Sequence, residues 1–161
     1  MNERDLSRAT GGPADEPLPL VILAGQSNAQ GWMGDGRLFE KDPIDAKIPF
    51  RWVICGRNPM LPGESQKSRG WETLGPQIGI CGHGNPASHF GPEISMARKL
   101  AKAGKQVAVL KVTIGASSLY GDWRLPDQEG LTDDLLAEAR AALADLNQAG
   151  RQAKICGFIW I

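Results

Sequence analysis

An α/β fold, a three-layer sandwich around a parallel sheet, follows from three features of the 161-residue sequence. Residues 18–24, 106–114 and 154–161 form near-continuous apolar runs, the pattern of strands covered on both faces. Segments of helical period lie between the second run and its neighbours, and strands that alternate with helices pair in parallel through right-handed crossovers. Twenty glycines and eleven prolines are more than a helical bundle would use and point to many tight turns between short elements.

Taken in order, residues 1–16 are charged, interrupted by glycine and proline, and without period, so they are expected to be a disordered tail ahead of one domain over 17–161. The first strand, 18–24, ends in the glycine-rich loop 25–36 (GQSNAQGWMGDG). Residues 37–90 are long and irregular, and only 50–55 (FRWVIC) resembles a strand; such a stretch inside a compact domain is usually functional or poorly ordered. Periodicity returns with Pro92 at a first helical position, Ile94, Ala97, Leu100 and Ala101 on one face, and Gly104 as the stop. The second strand, 106–114, closes on Gly115. Thr132 is placed to cap a further helix, with Asp133 and Asp134 at its positive end and Leu135, Leu136, Ala139, Leu143 and Leu146 as its apolar stripe. Gly150 ends that helix, and 154–161 (KICGFIWI) is the third strand.

Lysine plus arginine equals aspartate plus glutamate at 18 each, so no general electrostatic attraction draws the chain to nucleic acid or to an anionic membrane. Neutral substrates fit that balance. Three cysteines, Cys55, Cys81 and Cys156, are too few and odd in number for a disulfide framework and read as thiols in or near the core. Neither a signal peptide nor an apolar run of spanning length is visible, so the chain as written is expected to be cytoplasmic. Cys81, His83 and His89 have metal-ligand residue types, but without a carboxylate or a second cysteine pair at zinc spacing no metal is expected. The loop 25–36 contains neither G-K-[ST] nor G-x-G-x-x-G, which argues against a phosphate cradle.

Ligands of open α/β sheets bind beyond the carboxyl ends of the strands, which directs attention to two loops. Gly25-Gln26-Ser27-Asn28 sets a hydroxyl on the turn after the first strand, where backbone N–H groups can face a developing oxyanion. Thr113-Ile114-Gly115-Ala116-Ser117-Ser118 sets a glycine at the equivalent level, free of a side chain that would keep substrate away. Taken alone, Ser27 could brace a turn, Glu93 could be a helix-start carboxylate, and Ser117 and Ser118 read as turn formers. Trp32, Trp71 and Trp123 lie in loops, suited equally to stacking on a sugar ring and to packing.

Gly25-Gln26-Ser27-Asn28 at a strand end resembles the nucleophile block of the SGNH hydrolases, in particular the sialate O-acetylesterase and acetylxylan esterase branch. Three further pieces agree in order and spacing: Phe90-Gly91-Pro92-Glu93 opening a helix, the KVTIGASSL segment 111–119, and Gly157-Phe158-Ile159-Trp160, similar to the strand before that branch's W-x-Q-G-E block. The resemblance runs from about Leu18 to Ile161 and implies a flavodoxin-like SGNH domain with its C-terminal part missing. It implies a serine esterase that removes O-acetyl groups from a carbohydrate or another small ester, without a cofactor. Ser27 would be the nucleophile, the Ser27 and Gly115 N–H groups would be oxyanion donors, and Gln26, Asn28 and Glu93 would accompany them in the site. The third donor of the family, the Gln of W-x-Q-G-E, would fall just after Ile161, and its Asp-x-x-His further on. His83 and His89 are the two histidines present and neither lies in an Asp-x-x-His, so the 161-residue chain is expected to be inactive. The alternatives are a non-catalytic carbohydrate-binding remnant and a general small-ester carboxylesterase of the same fold.

Overall fold

The structure, a computed structural model, describes residues 16–54, 66–79, 88–125 and 128–161. Strand β1 (Leu18–Gly25) lies inside the sheet, hydrogen-bonded in parallel to β5 (Ala108–Thr113) on one side and to β6 (Ala153–Trp160) on the other. Strand β2 (Pro49–Ile54) extends the parallel set beyond β5. Two short strands, β3 (Gln66–Lys67) and β4 (Glu72–Thr73), pair antiparallel with β2, so the sheet is mixed, with the order β3-β2-β5-β1-β6 and β4 also on β2. The three strands expected from apolar runs are all present and parallel. The 50–55 run is a fourth within its described part, its Cys55 lying outside the described residues.

Both faces of the sheet are covered over β1, β2 and β5, as apolar runs require, whereas β6, expected to be covered in the same way, lies at the edge and is largely exposed. Leu20, Ile22, Ala24, Leu110 and Val112 point to the face held by α3 (Leu131–Gln148), where they meet Leu131, Leu135, Ala139, Ala142 and Leu146. Val21, Val109, Phe50 and Trp52 point to the other face and pack with Ile94 and Ala97 of α2 (Pro92–Lys102). The period-2 alternation of β1 and β5 thus serves two cores at once. Helix α2 lies in the connection that returns from β2 and its short partners to β5, and α3 lies in the connection from β5 over β1 to β6. With α3 packed on one face and α2 on the other, the molecule has three layers.

Helix α2 begins at Pro92 and its chain turns out through Gly104 at φ 76, as the sequence suggested. Helix α3 corrects an expectation. Thr132 lies inside the helix, and the N-cap is Gly130, which makes no side-chain hydrogen bond. A Cβ at residue 130 would come within 2.7 Å of the Asp122 carbonyl oxygen, which accepts the Leu131 N–H at 2.9 Å. Close backbone approach therefore selects glycine where a hydroxyl cap was expected.

Candidate functional site

The chain leaves β1 through Gly25, whose φ of 138° and close approach to the Ile161 carbonyl oxygen exclude a side chain. Gln26 N–H donates to that same oxygen at 3.1 Å, and Ile161 N–H donates to the Ala24 carbonyl at 3.1 Å, so the carboxyl end of β6 closes on the turn. There follows one helical turn, α1 (Ser27–Gln30), in what the sequence read as plain loop. It is too short for propensity to hold it. Gln26 caps it: its Oε1 accepts from Ser27 N–H at 2.9 Å and from the Ser27 hydroxyl at 2.6 Å. Gly31, at φ 78, ends the turn, and the N–H groups of Gly31 and Trp32 both donate to the Ser27 carbonyl at 3.0 Å.

Ser27 is half-buried, Gln26 likewise, and Asn28 is exposed. Gly25 pairs with Thr113 in the β1–β5 register, and Ile114 N–H donates to the Gly25 carbonyl at 3.1 Å. Ser27 and Gly115 each lie two residues beyond that pair, so the two loops singled out by sequence stand at the same level of the same sheet edge. The connection after β1 crosses to β2 on one side and the connection after β5 crosses to β6 on the other, a reversal of direction at the carboxyl edge of the sheet. The Trp32 ring stands 3.6 Å from where a Gly115 Cβ would be. Ala116 takes the left-handed φ of 60°, an uncommon choice for a residue with a Cβ. Ser117 and Ser118 bind the loop itself. The Ser117 hydroxyl donates to the Ile114 carbonyl and accepts from Trp123 Nε1, both at 2.9 Å, while Ser118 Oγ accepts from Gly121 N–H at 3.0 Å. Trp123 then meets Trp160 of β6 edge-to-face at 4.6 Å, and Trp71 donates from Nε1 to the Ala142 carbonyl at 3.3 Å, against α3.

Two expected roles are altered by the geometry. The Gly115 N–H donates to Gln30 Oε1 at 2.9 Å, so here its proton serves the α1 turn. Glu93, grouped with substrate-binding residues, is fully buried. Its carboxylate accepts from Gly91 N–H at 2.8 Å and from Lys111 Nζ at 2.7 Å, away from solvent. Lys111 is itself fully buried and donates also to the Gln30 carbonyl at 2.9 Å. Burial pulls the lysine below its ordinary range, and the carboxylate of Glu93 opposes that pull. Sequence reading missed Lys111 as part of the site, although a lysine within the apolar run 106–114 was the available signal.

His89 is fully buried as well, its backbone bridged to Gln77. Gln77 Nε2 donates to the Gln30 carbonyl at 3.1 Å and faces His89 Nε2 at 2.5 Å, which leaves the proton of the neutral ring on Nδ1. Burial first, and the charge on Lys111 second, lower His89 from 6.5 to about 4. A neutral imidazole turned to Gln77 is not placed as a base for Ser27, whose hydroxyl donates to Gln26. His89 Nδ1, Gln77 Oε1 and Thr113 Oγ1 are buried and make no hydrogen bond among the described residues. His83 and the rest of the Cys81-Gly82-His83 segment lie outside the described residues. Among those described, no group of three or more His, Cys, Asp or Glu could hold a metal ion. Among the described residues, no helix is long and apolar enough to cross a membrane.

Comparison with known proteins bears on the architecture. A protein of Arabidopsis thaliana, solved by X-ray crystallography at 1.6 Å, superposes with a TM-score of 0.51 over 90% of this chain at 15% sequence identity. The likeness is one of fold. This chain spans 57% of the length of that protein. No protein-family model matches the sequence, and no curated protein matches it.

Proposed function

We propose that the chain carries the nucleophile half of an SGNH-type serine esterase that removes O-acetyl groups from a carbohydrate, with Ser27 as the nucleophile. One observation supports the reading: Ser27 opens a helical turn just past the carboxyl end of β1, level with Gly115 in the loop after the neighbouring β5. That is where an acyl carbon could be attacked while its oxygen turns to backbone N–H groups. In this reading Gln26 Oε1 gives way to the acyl oxygen, since it accepts from both the N–H and the hydroxyl of Ser27. A Gln donor at the position after Ile161 would stand beside the same turn, because the Ile161 carbonyl is bonded to Gln26 N–H.

A serine without a base is a poor nucleophile at neutral pH, and loss of triad members leaves only about 10³–10⁴-fold over water. We expect the 161-residue chain to hydrolyse an aryl acetate negligibly, with no change in Ser27→Ala. A chain continued through Gln-Gly-Glu and Asp-x-x-His blocks should turn the ester over and react with a fluorophosphonate, and Ser27→Ala should abolish both. A folded, continued chain that is indifferent to Ser27→Ala would overturn the reading. The bond from the Ser27 hydroxyl to Gln26, with His89 turned to Gln77 instead, favours a second reading, a carbohydrate-binding remnant. Calorimetric binding of an acetylated oligosaccharide by such an unreactive chain would select it.

A further inference from the structure

Gln30 is the point at which three elements meet. Its backbone carbonyl, the last of α1, accepts from Lys111 Nζ of β5 at 2.9 Å and from Gln77 Nε2 at 3.1 Å. Its side-chain Oε1 accepts from the Gly115 N–H at 2.9 Å. Lys111 is in turn held by Glu93 of α2 at 2.7 Å, and the other oxygen of that carboxylate accepts the Gly91 N–H just before the helix. Gly91 also packs against Gly31: a Cβ at residue 31 would meet Gly91 Cα at 2.6 Å and run into the Phe90 carbonyl. The start of α2, the end of α1 and the loop after β5 are thus joined through one ion pair.

That pair is an expensive way to hold a core together. Both side chains are fully buried, and a buried ion pair is often matched or bettered in stability by apolar residues of similar volume. What an apolar pair cannot supply is a hydrogen-bond donor to a helix-end carbonyl. Ser27 lies three residues before Gln30 in the same single turn, so whatever fixes the Gln30 carbonyl fixes the direction of the Ser27 side chain.

We propose that Lys111 and Glu93 are positioning residues, which hold the α1 turn against the Gly115 loop and thereby aim the Ser27 hydroxyl; this rests on the reading of Ser27 as nucleophile. The test is the double variant Lys111→Met/Glu93→Leu, which removes the charges together. We expect its melting temperature to be unchanged or raised and the amides of β1 and β5 to keep their protection. The amides of Gly31, Trp32 and Gly115 should exchange about tenfold faster or more, because the turn opens locally without global unfolding. In the continued chain, fluorophosphonate labelling of Ser27 should slow by about tenfold or more as the hydroxyl loses its direction.

Unchanged exchange at those three amides overturns the inference. So does a double variant that melts far lower, which would assign the pair to stability, and so does faster exchange with labelling at the original rate. If exchange rises while no chain with intact Ser27 is labelled at all, the coupling of the three elements stands and the serine-esterase reading falls.

Discussion

His89 illustrates how a buried titratable group ties stability to pH. Its pKa falls from 6.5 to about 4 because burial, and then the charge on Lys111, disfavour the imidazolium. As pH falls through this window the unfolded chain takes up the proton before the folded one does. Stability is therefore complete above about pH 6.5 and declines down to about pH 4, by about 3 kcal/mol for a shift of this size. Asp42 and Asp45 add nothing in that window. Asp42 is lowered from 3.8 chiefly by its hydrogen bond to Lys102, and in Asp45 the hydrogen bond from Arg98, with its backbone and charge partners, outweighs burial, so both lose their contribution only below about pH 4. Urea titrations at pH 7 and pH 4.5 should differ by about 2–3 kcal/mol in the native chain, and by much less in a folded His89→Gln variant. Equal midpoints at the two pH values would contradict the burial of a neutral ring. Ala116 offers a smaller test. Its φ of 60° is tolerable for alanine and severe for a β-branched side chain, so Ala116→Val should cost about 1–2 kcal/mol in a thermal melt.

Among the elements, β6 combines a full ladder of pairs to β1 with poor cover. It lies at the sheet edge, with Phe158 54% and Ile155 42% exposed, and Trp160 and Ile161 little better covered. Beside it a groove of about 410 Å³ runs between β6 and α2, lined by Leu23, Pro92, Met96, Ile159 and Ile161 among others. An apolar edge strand of this kind invites pairing with another chain. We expect concentration-dependent self-association of the 161-residue chain in sedimentation, reduced by Phe158→Lys. A monomer at all concentrations would show that the edge is protected in some other way. The opposite flank of the sheet is tied by charge. Arg51 of β2 is nearly buried between Glu138, at 3.1 Å, and Asp145 of α3. Arg51→Ala strands Glu138 without that partner and should cost about 2 kcal/mol by denaturant titration.

Across the molecule, what the sequence displayed was what burial writes into it. Strands covered on both faces are nearly all apolar, so β1 and β5 stood out, and helices with one buried stripe showed their period; β6 stood out by the same apolar run although it is poorly covered. Ser27 and Gly115 were legible because each follows such a strand, and parallel pairing sets strand ends level. The α1 turn was not legible: four residues carry no period, and its cap is a glutamine side chain reaching one residue forward. The Lys111–Glu93 pair was hidden for another reason. Lys111 broke its apolar run, but Glu93 looked ordinary at a helix start, and only the packing of α2 on β5 brings them together. Gly130 as a cap depended on the distant Asp122 carbonyl, again a fact of packing.

The register of β6 has a consequence for insertions and deletions. Leu20 pairs with Ile155 but Val21 pairs with Gly157, so Cys156 is an extra residue in the strand, opposite no partner. Loss of Cys156 by an in-frame deletion would leave Leu18–Leu20 and Val21–Ala24 facing the residues they face now, and would straighten the ladder. Loss of Phe158 would instead push Ile159 to Val21's next neighbour and carry Trp160 to the opposite face, away from Trp123, because side chains alternate with a period of two. A chain shortened by one codon should therefore fold with nearly the original melting temperature when the codon is that of residue 156, and fail when it is that of residue 158. In a lineage of such proteins, length variation within this strand would be confined to a single position.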